Sequence, residues 1–118
     1  MPESFVDYVY MSQLSQAYGM EIAIEAHRKA KPYNMGTLYW QLNDAWPVVS
    51  WSSIDHYGNK KALQYKLNTL YAPVLLSLNV DKKSYSVSVT SDLHAPLSGN
   101  LKTQVVNFSG EVLFEKDV

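Results

Sequence analysis

The feature of this sequence that most constrains its fold is a short apolar segment between two helical patterns. Residues 36–42 read Gly-Thr-Leu-Tyr-Trp-Gln-Leu and are followed by Asn43-Asp44. Because apolar residues fall on both faces, the segment predicts a buried strand of the parallel type. Such a strand needs hydrogen-bonding neighbours, and the helical patterns on either side supply none. The segment therefore predicts a chain cut from a larger α/β structure.

Two amphipathic helices are predicted around this segment. The first has Ser12 as its N-cap, covers residues 13–29 and is ended by Pro32. The second covers residues 59–71 and is ended by Pro73. In both, apolar residues recur at spacings of three and four and form one stripe. These stripes are Leu14, Ala17, Tyr18, Ile22 and Ala26 in the first helix and Leu63, Leu67 and Leu70 in the second.

The last third of the chain changes from helical to strand patterns. Residues 74–80 form an apolar run, and residues 84–89 alternate between serine and larger apolar side chains. Similar patterns return at residues 101–105 and 112–114. We therefore expect about four antiparallel strands after a boundary near Ala72-Pro73. An open sheet of this kind needs a second layer to cover its apolar face.

Composition and charge narrow the classes of function. With 47% hydrophobic residues and a formal net charge of -1, the chain is ordinary for a folded protein and favours neither nucleic acid nor a membrane as partner. No cysteine is present, which excludes thiolate catalysis, disulfides and cysteine-ligated metal. The start lacks a signal-peptide pattern, and no apolar run reaches the roughly 18 residues of a membrane span. The three histidines lack metal-ligand spacing, so no metal or other cofactor is expected.

The segment from residue 36 to residue 58 closely resembles one family. It contains GTLYWQLNDAWP at residues 36–47, SWSSID at residues 50–55 and Tyr57-Gly58. This dense pattern is similar to the β-mannosidases of glycoside hydrolase family 2, in which it forms the eighth strand and following loop of a (β/α)8 barrel. The resemblance extends to the flanking helices and to the entry of the family's immunoglobulin-like domain at residues 72–75. Lys60 departs from it, because the family has an aromatic residue there.

The resemblance implies a fold in two parts. Residues 1–72 are expected to be the C-terminal segment of the (β/α)8 barrel, an α/β fragment. Residues 73–118 are expected to be part of an all-β, immunoglobulin-like sandwich. Barrel enzymes bind substrate at the C-terminal ends of their strands, which is where Trp40, Asn43 and Asp44 stand in this pattern.

The resemblance also implies substrate-binding residues. Trp40 is expected to form the aromatic wall of the mannose subsite, since an indole stacks on a sugar face while its N–H donates. Asn43 and Asp44 are expected to bind sugar hydroxyls, and Trp46 to line an outer subsite. Each has a structural alternative: Trp40 filling the barrel mouth, Asn43 and Asp44 ending the strand in an Asx-turn, and Trp46 packing in the loop. Trp51 is assigned to loop packing. The residues expected to hold the turn before the last helix are Ser52, Ser53 and Asp55.

The catalytic carboxylates are not expected in this chain. A retaining glycosidase uses two carboxyl groups about 5–5.5 Å apart. The resemblance implies two glutamates on the fourth and seventh barrel strands, upstream of Met1. Glu21 and Glu25 are interpreted instead as a solvated helix face. No catalytic residue is therefore assigned within the chain.

We therefore expect part of a retaining β-mannosidase that hydrolyses terminal, non-reducing β-D-mannose, with the fragment itself inactive. The alternative is a non-catalytic carbohydrate-binding or interaction module. Outside a complete barrel, the apolar segment at residues 36–42 and the open sheet edges also predict self-association.

Overall fold

The computed structural model describes residues 2–82 and 84–118, which form two helices followed by two antiparallel strand pairs. Helix α1 spans Phe5–Lys29 and helix α2 spans Ala62–Leu70. The strands are β1 (Val74–Asp81) paired with β2 (Ser84–Ser91), and β3 (Lys102–Val106) paired with β4 (Val112–Asp117). The two pairs belong to separate two-stranded sheets. The prediction of a second helix and four antiparallel strands is confirmed.

Helix α1 begins earlier than the sequence pattern predicts. Its N-cap is Ser4, whose side chain accepts a hydrogen bond of 3.1 Å from the backbone N–H of Asp7. The carboxylate of Asp7 lies in the first turn, where it complements the positive end of the helix dipole. The predicted N-cap at Ser12 is wrong, because Ser4 and Asp7 supply a complete start signal about two turns upstream.

The helical part contains one small hydrophobic core. Ile24 of α1 packs against α2, with Met20 and Tyr39 at the edge of the contact. The buried residues of α2 are Leu63, Leu67 and Leu70, which confirms its predicted stripe.

The buried face of α1 differs from the predicted one. Of the predicted stripe only Ala17 is buried, whereas its larger members Leu14, Tyr18 and Ile22 are exposed. Helix α1 has two apolar faces, and the face that meets α2 carries Ala17 and Ile24. The spacing of apolar residues does not show which of the two faces finds a partner.

One of the two acidic residues assigned to a solvated face lies at the helix interface. The carboxylate of Glu21 accepts a hydrogen bond of 2.9 Å from Nζ of Lys66, across from α1 to α2. The interpretation of Glu21 as part of a solvated face is therefore wrong, because α2 packs beside it.

Arg28 joins the helices to the first strand pair. Its side chain is almost fully buried, and its guanidinium donates to the carbonyl oxygens of Leu70 and Ala72 at 2.6 and 2.7 Å. The first of these carbonyls is on the last residue of α2 and the second lies two residues beyond it, where backbone oxygens lack helical partners. The second guanidinium nitrogen lies 2.8 Å from a carboxylate oxygen of Asp92, just after β2, and Lys31 pairs with the same carboxylate.

The segment predicted as a buried strand is exposed on one face, while Thr37, Tyr39 and Gln41 on its other face are partly buried. Leu38 is 99% exposed and Trp40 is 76% exposed. The backbone bonds of the segment run to residues 53–54: Ser53 N–H donates to the carbonyl of Gln41 at 3.1 Å, and Ile54 N–H donates to the carbonyl of Leu42 at 2.9 Å. The prediction of burial is wrong for this chain, because the residues described here place no strand on either side of the segment.

The chain has a large surface for its size. It exposes 9563 Å², whereas a compact monomer of 13.4 kDa exposes about 6500 Å². Its radius of gyration is 17.4 Å, against about 13.5 Å for a compact chain of this length. Many large apolar side chains are therefore left without a covering layer. Among the described residues, neither helix combines the length and the apolar character of a membrane span.

Candidate functional site

Three tryptophans are attached to one small backbone frame. The frame consists of residues 41–44 and 52–54, which lie side by side and include a parallel bridge between Asn43 and Ile54. Trp40 directly precedes the first segment, Trp51 directly precedes the second, and Trp46 lies in the connection between them. We call residues 40–55 the tryptophan loop. All three indoles are mostly exposed, so the loop presents them on its surface.

Trp40 has the exposure that a ligand contact requires. The peptide bond that follows it is cis. Both predicted roles of Trp40, stacking on a sugar and filling a barrel mouth, need a ring that is free within this chain, and its exposed ring meets that requirement.

Asp44 lies at the buried centre of the loop. It is 3% exposed, and both of its carboxylate oxygens accept hydrogen bonds from within the loop. Oδ1 accepts from the hydroxyl of Ser50 at 2.6 Å and from Nε2 of Gln41 at 3.2 Å. Oδ2 accepts from the hydroxyl of Ser52 at 2.7 Å. The carboxylate therefore ties the two segments of the frame together.

Lys61 supplies the positive charge beside Asp44. Its Nζ lies 3.6 Å from Oδ2 of Asp44 and donates to the hydroxyl of Ser52 at 2.8 Å and to the carbonyl of Ser50 at 3.3 Å. Its backbone N–H donates to the carbonyl of Ser53 at 2.9 Å. Lys61 is also the N-cap residue of α2, so it connects the loop to that helix.

The surroundings of Asp44 keep it ionised. The hydroxyls of Ser50 and Ser52 lower the pKa of the carboxyl below its ordinary value of 3.8, and the charge of Lys61 acts in the same direction. Burial opposes this effect but does not overcome it. A carboxylate so enclosed is a structural anion in this chain, and its predicted contact with a sugar stays a prediction.

The turn after the loop is held as the sequence predicts. Oδ1 of Asp55 accepts from the backbone N–H groups of Tyr57 and Asn59 at 2.9 and 2.8 Å. The hydroxyl of Ser53 is bonded to the loop backbone at Leu42. These contacts confirm the structural roles assigned to this group of polar residues. The side chain of Asn43 donates to the carbonyl of Asp44 at 3.3 Å and is otherwise exposed.

The proteins to which this chain is similar are β-mannosidases, and the similarity extends over almost the whole chain. No family model matches it. β-Mannosidase A of Aspergillus terreus is 34% identical over 113 residues, which cover 92% of this chain and 12% of that protein. β-Mannosidase of Bos taurus is 34% identical over 112 residues, which cover 89% of this chain and 13% of that protein. The crystal structure of β-D-mannosidase from Dictyoglomus thermophilum matches with a TM-score of 0.74 and 25% identity, over 100% of this chain and 15% of that one.

The chain is a homologue of one segment of the β-mannosidases. The predicted resemblance to this family is confirmed. The chain spans 12–13% of the length of these two curated relatives. The structural match covers the helices, the tryptophan loop and both strand pairs, so the arrangement of the parts is one that a β-mannosidase contains.

A second feature of this β-mannosidase segment is a cleft of about 600 Å³ beside the loop. It lies between the first turns of α1 and residues 48–51, with Tyr8 on one wall and Trp51 on the other. Nε2 of Gln16 donates to the carbonyl of Trp51 at 2.7 Å and bridges the walls. The ring of Trp51 is exposed, so its expected packing within the loop is not observed.

The part of the site that sequence reasoning missed is the charge pair. The predicted residues Trp40, Asn43, Asp44 and Trp46 all lie in the loop, and the structure brings them together on one frame. Lys61 was not predicted, because a lysine before a helix is an ordinary surface residue in a sequence. The available signal was the pair of serines Ser50 and Ser52 shortly after Asp44, since hydroxyl groups near an aspartate can donate hydrogen bonds to its carboxylate.

Proposed function

We propose that this chain is part of a retaining β-mannosidase that hydrolyses terminal, non-reducing β-D-mannose. In this proposal residues 1–72 are the C-terminal segment of a (β/α)8 barrel and residues 73–118 begin an immunoglobulin-like sandwich. The observation that carries the proposal is the match of the whole chain to β-mannosidases in sequence and in structure. The large exposed surface supports it as well, since the rest of a barrel and a second sheet would cover that surface.

The proposed sugar contacts lie in the tryptophan loop. Trp40 stacks on the mannose ring, Asn43 donates to a sugar hydroxyl, and Trp46 lines an outer subsite. These contacts are supported by the exposure of all three side chains, which leaves them accessible to a ligand. For Asp44, the internal partners of both oxygens favour a structural role over a sugar contact, although these partners are side chains of the loop and not the backbone of an Asx-turn.

We place the two catalytic glutamates of this enzyme outside residues 1–118. Acidic groups of the loop and of the helix interface are engaged in other contacts: Asp44 with Ser50 and Ser52, Asp55 with Asn59, and, between the helices, Glu21 with Lys66. In each of these contacts the carboxylate is bonded to a hydroxyl, an amide or a lysine, and none of the contacts joins two carboxyl groups. We therefore expect no turnover of an aryl β-mannoside by the purified chain, and measurable turnover would contradict this assignment.

A chimera tests the proposed function. Residues 1–118 replace the homologous segment of the Dictyoglomus thermophilum β-D-mannosidase, and hydrolysis of an aryl β-mannoside is measured. We expect activity in the chimera and a loss of at least about tenfold in kcat/KM with Trp40→Ala, because each 1.36 kcal/mol of lost transition-state binding is tenfold.

Trp51→Ala is the matched control, since this indole borders the cleft beside α1. It is expected to change kcat/KM by less than Trp40→Ala. A chimera that melts cooperatively but hydrolyses no β-mannoside contradicts the proposal. Equal losses from both tryptophans contradict the specific role of Trp40.

The second candidate function is a non-catalytic carbohydrate-binding module. Three exposed tryptophans on one loop favour it, because exposed aromatic rings are the usual platforms for sugars. Isothermal titration of the chain with mannose and manno-oligosaccharides separates the two functions. Tight binding by the chain alone supports the module, and weak or absent binding supports the enzyme segment.

We also propose that the isolated chain self-associates. Its support is the exposed apolar surface together with the unpaired outer edges of two separate two-stranded sheets. Sedimentation velocity across a range of protein concentrations is expected to show dimers or larger species. A monomer at all concentrations contradicts this proposal.

A further inference from the structure

The tryptophan loop is organised around a buried charge rather than around an apolar core. Asp44 and Ser52 are both buried at its centre, while the indoles lie on its surface. A buried carboxylate is costly unless it is paired and fully hydrogen-bonded. The three neutral donors to Asp44 come from the loop itself, and the cation that pairs with it is Lys61, the N-cap residue of α2.

Lys61 links the loop to the hydrophobic core through α2. Its backbone and side chain both reach the loop, at the carbonyl of Ser53 and the hydroxyl of Ser52. The helix that starts directly after it buries three leucines against Ile24. Helix α2 is therefore held by the core through its leucines, and its N-cap Lys61 is bonded to the frame that carries Trp40 and Trp51.

We propose that Lys61 is a positioning residue of the sugar site: by pairing with Asp44 and Ser52 it fixes the tryptophan loop to α2 and so sets the positions of Trp40 and Trp51. The effect of Lys61 on catalysis rests on the proposed function. The attachment of the loop to α2 through Lys61 can be tested in this chain alone. The Lys61 side chain is 17% exposed, so water screens the charge pair only in part.

The proposal requires Asp44 and Lys61 to act as one unit. Lys61→Met leaves a buried carboxylate without its cation, and Asp44→Asn leaves an ammonium group without its anion. Changing both removes the two charges together, which is far less disruptive than removing one. A double-mutant cycle therefore separates a charge pair from two independent contacts.

The three tryptophans provide a local signal for the test. They are the only tryptophans in the sequence, and all lie between residues 40 and 51. Their near-ultraviolet circular dichroism depends on fixed indole orientations, so it reports the order of this loop. In the chain of 118 residues we expect each single variant to lose most of this signal and to melt about 4 °C or more below the original chain. The double variant is expected to recover most of both, and Lys61→Arg to retain the signal.

Lys66→Met is the matched control. Lys66 is also a lysine of the α2 region with an acidic partner, Glu21, but that pair lies away from the loop. It is expected to leave the tryptophan signal unchanged. Equal tryptophan signals in Lys61→Met and the original chain overturn the proposal. A lowered melting temperature with an unchanged tryptophan signal, as in the control, also overturns it, as does a double variant that shows no recovery.

The chimera connects the inference to catalysis. We expect Lys61→Met to lower kcat/KM and Lys61→Arg to restore most of it, while Lys66→Met has little effect. If the chimera with Lys61 intact is folded but inactive, the proposed function fails and the result in the chain still decides the positioning role. If the chimera is active and Lys61→Met leaves kcat/KM unchanged, the positioning role fails and the proposed function stands.

Discussion

The helical part and the strand part of this chain differ in how much of their structure they complete alone. The helices α1 and α2 satisfy their own backbone hydrogen bonds and bury a common core around Ile24. In the strand part β1 and β2 bury a few side chains, including Leu75, whereas every residue of β4 is exposed. A helix needs one partner on one face, but a two-stranded sheet needs a further layer and further strands. Cutting a chain from a larger protein therefore costs its strands more than its helices.

Removing one core side chain should give the largest loss of stability. Ile24 is fully buried between the helices. Ile24→Ala is expected to lower the free energy of unfolding by about 2–5 kcal/mol, through lost burial and the cavity left behind. Urea unfolding followed by far-ultraviolet circular dichroism measures it. The control is Ile22→Ala on the exposed face of the same helix, expected to change stability by about 0.5 kcal/mol or less. Equal losses would mean that the exposed face of α1 is covered in solution.

The link between the two parts should be the next most sensitive feature. Arg28→Met removes the donor to the carbonyls of Leu70 and Ala72 and one of the two cationic partners of Asp92. We expect a loss of about 2–3 kcal/mol, because buried carbonyls are left unsatisfied. Hydrogen exchange of β1 and β2 amides should speed up more than that of α2.

Lys29→Met is the control for this change, because Lys29 reaches the same strand pair through an exposed hydrogen bond to Asn79. Its effect should stay near 0.5 kcal/mol. Unchanged exchange in β1 and β2 of the Arg28 variant would show that the first strand pair is stable without the helices.

Low pH should loosen the tryptophan loop. The folded pKa of Asp44 lies below the unfolded value of 3.8, chiefly because of the Ser50 and Ser52 hydroxyls. The stabilisation is therefore complete above pH 3.8 and is lost as the pH falls through the folded pKa. The near-ultraviolet tryptophan signal should decrease in that window. Asp44→Asn should reduce this pH dependence to the part that comes from Asp55, whose pKa is also lowered, chiefly by hydrogen bonds from Asn59. Glu115→Gln on β4, a carboxyl whose pKa is lowered by Lys102, should leave the pH dependence intact.

A substitution in the second strand pair should have the smallest effect. Val105 of β3 is exposed, so Val105→Thr is expected to change the free energy of unfolding by about 0.5 kcal/mol or less. The measurement is urea unfolding at low and high protein concentration. A loss that appears only at high concentration would assign this face to the contact between copies, and would tie the strand part to self-association.

How far the sequence predicts the fold depends on whether a signal is local. The leucines of α2 and the alternating strands were predicted correctly, since spacing along one element determines which residues share a face. The predicted start of α1 was wrong, because Ser4 caps the helix by accepting a hydrogen bond from the backbone N–H of Asp7. The prediction that residues 36–42 form a buried strand was wrong for this chain. Burial of a strand depends on neighbouring strands, and the described residues place none beside this segment.

The candidate site shows the same division. The tryptophans and Asp44 were predicted from a dense motif, which lies in one stretch of sequence. Lys61 was not, since it follows that stretch and has no pattern of its own. Its contact with Ser52 arises only after the loop folds back against the start of α2.

The sequence by itself determined the order of the helices and strands, the face of α2 that is buried and the resemblance to β-mannosidases. These properties depend on residues close together in the chain. The tertiary structure alone decided which apolar face of α1 is covered, that Arg28 joins the end of α2 to Asp92, and that Asp44 pairs with Lys61. Hydrophobic burial and charge pairing act between whichever surfaces meet in space, and local spacing does not specify those surfaces.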